Sequence, residues 1–199
     1  MDDKVDAIIG LGNPGERYRG TRHNVGYMVA DLIVSKFRGK WKSGKGRFFY
    51  SAVKIGGETK FILRSATYMN ESGLGALDAA LTLDIPPQRM LVVLDDFALP
   101  FGEIRIRKSG SDGGHRGLAS VIYHLNTQDI PRLRVGIGPV PEDEDNIDFV
   151  LSDFTGEERN LLEDIIRISA DAAVLSARVG LQKAMEKYNR KLLVGEKSE

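Results

Sequence analysis

Four polar residues carry the chemistry that this sequence can do. Asn13 lies in Gly10-Leu11-Gly12-Asn13-Pro14-Gly15, His23 in Thr21-Arg22-His23-Asn24-Val25-Gly26, and Asn70 in Thr67-Tyr68-Met69-Asn70-Glu71-Ser72-Gly73, while Asp95 closes Met90-Leu91-Val92-Val93-Leu94-Asp95. An imidazole fixed by a carboxylate can take a proton from water, and amide side chains can hold the carbonyl that the water attacks. Such a hydrolytic site needs neither a metal nor a nucleophilic serine. Plainer readings stand beside this one. Asn13-Pro14-Gly15 is turn chemistry in its own right, Asn70 stands where it would cap a following helix, and Asp95 stands where it would cap the turn at Asp95-Asp96-Phe97. A lone histidine is more often structural than catalytic, but a polar loop directly before a helix exposes His23 at a sheet edge and argues against a core role.

These residues must be held by the elements between them. Residues 5–9 form a short apolar run followed by a glycine turn, which predicts a buried strand. Beyond it, Val25, Met28, Val29, Leu32, Ile33 and Phe37 recur at three- and four-residue steps and mark one helix face, with Thr21 or Asn24 as its cap. Residues 47–55 and 60–63 are rich in aromatic and branched side chains around Gly56-Gly57, a hairpin pattern. A second helix is predicted over 74–83, stopped by Pro86-Pro87. Residues 90–94 are almost wholly apolar and read as a central strand covered on both faces. That puts Asp95 at its carboxyl end, the side on which open α/β sheets bind ligands. Further on come a strand over 103–108, a helix over 118–125, a strand over 133–137 and a final helix over about 157–188, which Gly180 bends or interrupts. Strands interleaved with helices predict an α/β fold: a single domain with a mixed, mostly parallel central sheet flanked by helices on both faces.

Composition narrows the classes. The chain has 199 residues and no Pro/Gly/Ser-rich stretch to divide it, so one domain is expected. Its 42% hydrophobic and 28% charged residues are those of a soluble globular protein, and no apolar run approaches the roughly 18 residues of a membrane span. The acidic start Met1-Asp2-Asp3-Lys4 does not read as a secretory signal, so a cytoplasmic location is expected. The absence of cysteine removes disulfides, thiolate zinc sites and a cysteine nucleophile. Formal charge is zero, so bulk electrostatics do not announce a nucleic-acid partner. The charge is nevertheless clustered: Arg17, Arg19 and Arg22 sit beside the first motif, Arg105, Arg107, Lys108, Arg116, Arg132 and Arg134 crowd two later segments, and Glu142-Asp143-Glu144-Asp145 opposes them.

Two competing constellations are weak. Gly10-Leu11-Gly12-Asn13-Pro14-Gly15 satisfies the dinucleotide pattern G-x-G-x-x-G, but Pro14 and Gly20 delay the helix, and Asp31, at nearly the right distance for a ribose contact, falls inside that helix. A metal site drawn from His23, His115, Asp95 and Asp96 lacks both a His-Glu-x-x-His signature and any helix with ligands at i and i+4. No G-x-S-x-G elbow occurs.

The four motifs, together with Asp112-Gly113-Gly114-His115-Arg116-Gly117-Leu118 and Arg132-Leu133-Arg134-Val135-Gly136-Ile137-Gly138, resemble the bacterial peptidyl-tRNA hydrolase family in order and spacing over residues 5–190. The resemblance implies hydrolysis of the ester joining a peptide to the 3′-terminal ribose of tRNA, without a cofactor or metal. It implies His23 as general base, Asp95 as its orienter, Asn13 and Asn70 as peptide holders, and Tyr18, Tyr68 and Met69 as lining of the site. Arg107 and Arg134 match basic positions that clamp a terminal tRNA phosphate, and Lys183 and Lys187 of the final helix are expected to add phosphate contacts. Arg116 departs from the pattern, since many relatives carry asparagine there; a long cation without an acceptor cannot take over that amide's part, and it is expected to reach RNA phosphate. Residues 139–154 are expected to form a mobile lid beside the peptide groove. Peptidyl-tRNA is thus the expected partner, with no membrane association and a monomeric chain. A non-catalytic RNA-binding protein is the competing reading, and a nicotinamide oxidoreductase the third.

Overall fold

Two strands carry the middle of the fold because both faces of each are apolar. In β1 (Ala7–Gly10) and β5 (Met90–Pro100), side chains alternate between two cores. Ile8, Leu91 and Val93 pack with Val25, Val29 and Ile33 of α1 (Val25–Lys36) and with Ile165 and Ala173 of α5 (Gly156–Arg178). Ile9, Val92 and Leu94 pack on the other face with Ala76 and Ala79 of α2 (Ser72–Leu83) and with Leu118 and Val121 of α3 (Arg116–Leu125). Fully burying one such side chain contributes about 1.5–3 kcal/mol, so truncating Leu91 or Val92 would weaken the packing of one helical layer on the sheet by about that much.

The computed structural model of the chain describes residues 3–189. Its seven strands make one sheet in the order β2-β3-β4-β1-β5-β7-β6. The centre, β4 (Glu58–Ser65) with β1, β5 and β7 (Arg132–Gly138), is parallel. The margins are antiparallel: β2 (Lys42–Ser43) on β3 (Phe48–Ile55), β3 on β4, and β6 (Ile104–Arg107) on β7. The chain is therefore a single α/β domain with a mixed sheet, as its sequence pattern predicts. The hairpin turn falls at Gly56 and Gly57, whose positive φ angles of 61° and 84° suit the two-residue connection between Ile55 and Glu58.

Several boundaries differ from expectation for identifiable reasons. β5 does not stop at residue 94 but continues to Pro100, because β7 offers it partners as far as Gly138, with a register shift between Asp96 and Pro100. The predicted last helix is two: α5 ends at Arg178, Gly180 turns the chain with φ 125°, and α6 (Leu181–Tyr188) follows. Residue 190, where the family resemblance ends, lies outside the described residues. Neither Thr21 nor Asn24 caps α1 with its side chain, nor does Asn70 cap α2. Among the described residues no helix is long and apolar enough to cross a membrane.

The glycines of the first motif serve packing. A Cβ on Gly10 would stand 2.2 Å from the carbonyl oxygen of Gly26, and one on Gly26 would stand 2.4 Å from that of Val93. α1 therefore starts in backbone contact with β1 and β5, which delivers the turn before it, Arg22–Asn24, to the carboxyl ends of those strands. Gly12 faces the Tyr27 ring in the same manner. The G-x-G-x-x-G pattern is thus spent on seating a helix, and Asp31 pairs with Arg64 at 3.0 Å instead of standing at a strand end.

Candidate active site

A groove of about 610 Å3 opens at the carboxyl end of the parallel strands and brings together residues far apart in sequence: Asn13, Tyr18, His23, Tyr68, Met69, Asn70, Asp95 and Arg116 all line it. At its base the buried Asp95 holds two imidazoles. Both of its carboxylate oxygens lie 2.9 Å from Nδ1 of His23, and Oδ1 lies 2.9 Å from Nε2 of His115. Burial alone would push the Asp95 carboxyl up, but electrostatic attraction to His115 and His23 and their N–H groups outweighs it and holds the carboxyl well below the usual carboxylate range.

An ionised carboxylate only accepts, so the hydrogen bonds assign the tautomers. His23 donates from Nδ1, which leaves a lone pair on Nε2, an atom with no hydrogen-bond partner among the described residues. His115 is the N-cap of α3: its Nδ1 accepts from the Leu118 N–H at 3.2 Å, so its proton sits on Nε2, facing Asp95. One imidazole can therefore work as a base while the other steadies the carboxylate that orients it. The donor atoms of His23, Asp95 and His115 lie within 4.8 Å of one another, near enough to share an ion. While both ring nitrogens donate to Asp95, neither offers a lone pair to a metal. Asp96 is not part of that group.

The amide of Asn13 is oriented just as tightly. Its Oδ1 accepts from the Met69 N–H at 2.8 Å, which leaves the Nδ2 donors on the groove wall without a hydrogen-bond partner among the described residues. Asn24 fixes the backbone beneath, with Oδ1 accepting from the Asn13 N–H at 2.8 Å and Nδ2 donating to the Asn13 carbonyl at 2.9 Å. Asn70 is exposed in the 3-10 turn Met69–Glu71, and Tyr68 meets Tyr18 edge to face with centroids 6.3 Å apart.

The opposite wall belongs to the segment expected to be a lid. Its helix α4 (Asn146–Leu151) presents Ile147, Val150 and Leu151 to the groove. Arg22 fastens this wall to the histidine turn: its buried guanidinium donates to Ser152 Oγ at 2.7 Å and Glu158 Oε2 at 2.6 Å and stacks on Phe149 and Phe154. Arg22 is thus a structural tie, not part of an exposed basic patch.

A second cavity, about 390 Å3, lies across Asp95 and His115 from the first and contains Arg107, Arg132 and Arg134. Arg107 is exposed, whereas Arg134 is paired with Asp96 and Arg132 is buried, donating to the carbonyls of Ile130 and Ser111 at 2.8 Å each. Lys183 and Lys187 lie elsewhere, in a depression with Leu175 and Val179, and line neither cavity.

The comparisons agree with this geometry. The family model described as peptidyl-tRNA hydrolase matches residues 7–196. The chain belongs to the peptidyl-tRNA hydrolase family. The peptidyl-tRNA hydrolase of Fervidobacterium nodosum is 46% identical over 92% of this chain and 94% of its own. That of Aquifex aeolicus is 39% identical over 98% and 100%. The crystal structure of the peptidyl-tRNA hydrolase from Acinetobacter baumannii superposes with a TM-score of 0.88 at 29% identity, covering 95% of this chain and 96% of that one. The residues whose part in the site the sequence did not reveal are His115, weighed only within a glycine loop and a discounted metal site, and Asn24, read only as a helix cap. Their signal was present in the quoted segments, but its meaning depends on Asp95 and Asn13 standing opposite.

Proposed function

We propose that this chain hydrolyses the ester of peptidyl-tRNA, releasing free tRNA and peptide, with His23 as the base. The observation that carries the reading is the pairing, in one groove, of two groups without a hydrogen-bond partner among the described residues: the Nε2 lone pair of His23 and the Nδ2 donors of Asn13. Water held by His23 gives its proton to Nε2 as its oxygen bonds to the ester carbonyl carbon. The charge that develops on the carbonyl oxygen meets the Asn13 amide, and Asp95 stabilises the imidazolium. As the carbon–oxygen bond to ribose breaks, Nε2 returns the proton to the departing ribose oxygen. Asn70, with Tyr18, Tyr68 and Met69, holds the peptide, and α4 within residues 139–154 covers it as a lid.

The second cavity suits the RNA end, with Arg107 and Arg134 against phosphate and Arg116 at the boundary. Lys183 and Lys187 extend the RNA contact only at a distance from the groove. In this reading the chain works as a monomer, and a substrate of translation is consistent with work in the cytoplasm. Single-turnover release of labelled peptide from peptidyl-tRNA tests the reading: His23→Ala should slow it by about 10²–10⁴-fold with tRNA affinity kept. Near-normal release would remove His23 as the base, and absence of release by the wild type would favour RNA binding without catalysis.

A further inference from the structure

The arginines of the second cavity share one face of the β6–β7 ribbon. Arg107 stands opposite Arg132 and Arg105 opposite Arg134, while Ile104, Ile106, Leu133 and Val135 between them enter the core. Arg107 is exposed, but the charge of its two neighbours on β7 is engaged. Arg132 is committed to backbone carbonyls. Arg134 turns the edge carrying Nε and Nη2 onto Oδ2 of Asp96, and that edge is one of the two whose paired donors match two oxygens of a phosphate. Asp96 is itself held, since its Oδ1 accepts from the Ala98 N–H at 2.8 Å, and its side chain is only 12% exposed.

We propose that Asp96 is an internal competitor of RNA phosphate that sets the affinity of the enzyme for tRNA. The proposal rests on the reading of Arg134 as a phosphate contact. Product tRNA carries the same phosphates as the substrate, so a clamp with nothing to oppose it would hold product as firmly as substrate. A carboxylate already on the guanidinium weakens the hold on both. It also changes the salt dependence. The Arg134–Asp96 pair brings no net charge to a phosphate, so the phosphate keeps its counterion; with a neutral residue at 96, the guanidinium replaces that counterion.

Deacylated tRNA titrated against the whole chain over a salt series tests this. Asp96→Asn keeps an oxygen for the Ala98 N–H, and it should bind about three- to tenfold more tightly. Its plot of log K against log [salt] should be steeper by about 0.7–0.9. Asp96→Ser, whose hydroxyl can hold the same turn, is the second neutral variant should the first not fold, and thermal melting identifies the folded ones. Asp96→Glu retains the charge and should keep the wild-type slope, and Arg134→Ala added to Asp96→Asn should restore that slope. Wild-type or weaker binding by folded neutral variants, alongside weakened binding by Arg134→Ala alone, would overturn the competitor role and leave Arg134 as a phosphate contact. A steep slope for Asp96→Glu would likewise overturn it. Unchanged binding throughout, Arg134→Ala included, would remove both assignments.

Discussion

The imidazole rings of His23 and His115 stand 5.0 Å apart, centroid to centroid, with the Asp95 carboxylate bound to both. Because the Nδ1 of His115 already accepts from α3, this ring meets Asp95 as a fixed donor. A hydrogen bond to a charged group is worth about 1.5–3 kcal/mol, so His115→Ala should slow single-turnover hydrolysis by roughly tenfold or more. His115→Gln, which can still present an N–H, should recover part of that loss. A wild-type rate in the alanine variant would show that Asp95 needs no second partner.

Asn13→Asp separates shape from donor chemistry. Either carboxylate oxygen can accept from the Met69 N–H, so the fold should persist, but an oxygen then faces the developing oxyanion where Nδ2 stood. Hydrolysis should fall by at least about 10²-fold, as for loss of an oxyanion donor, while the melting temperature changes little. An active Asn13→Asp enzyme would mean that the amide does not meet the carbonyl.

Acid stability follows from the depressed Asp95 carboxyl. Its folded-state pKa lies below the unfolded value of about 3.9, so its contribution to stability is present above that value and is lost as pH falls below it toward the folded pKa. The advantage in melting temperature of wild type over Asp95→Asn should therefore be full near neutrality and shrink below about pH 4. A difference that does not vary with pH would contradict the linkage.

Arg116 begins α3, exposed, on the groove wall next to His115. With no acceptor it cannot receive a proton from the attacking water. Arg116→Ala should raise KM and flatten the salt dependence of tRNA binding by about 0.7–0.9, and Arg116→Asn should keep its turnover. A severe loss of kcat at constant KM in Arg116→Ala would put the arginine among the reacting groups.

The pattern of apolar residues made the layers legible, since Ile8 and Ile9, or Val92 and Val93, could only be buried on both faces. The motif resemblance brought His23, Asp95, Asn13 and Asn70 to one place. Pairings over long separations stayed hidden. Arg22 reads as one more surface cation until Phe149, Ser152 and Glu158 are seen around it, more than a hundred residues on. His115 reads as a loop residue until Asp95 is beside it. Arg134 looks like a free cation because the carboxylate that occupies it sits on a neighbouring strand, where local sequence carries no trace of the contact.

The backbone contact between Gly10 and Gly26 bears on how this site can change over time. Side chains such as Arg116 can be exchanged singly, and the enzyme can sample new contacts to RNA or peptide without moving its frame. The glycine pair admits no such stepwise drift. A methyl group on either one would lever α1 off the sheet and carry His23 away from Asn13, however well both were retained. The two smallest residues thus restrict the paths open to this enzyme more tightly than several of the side chains in its groove.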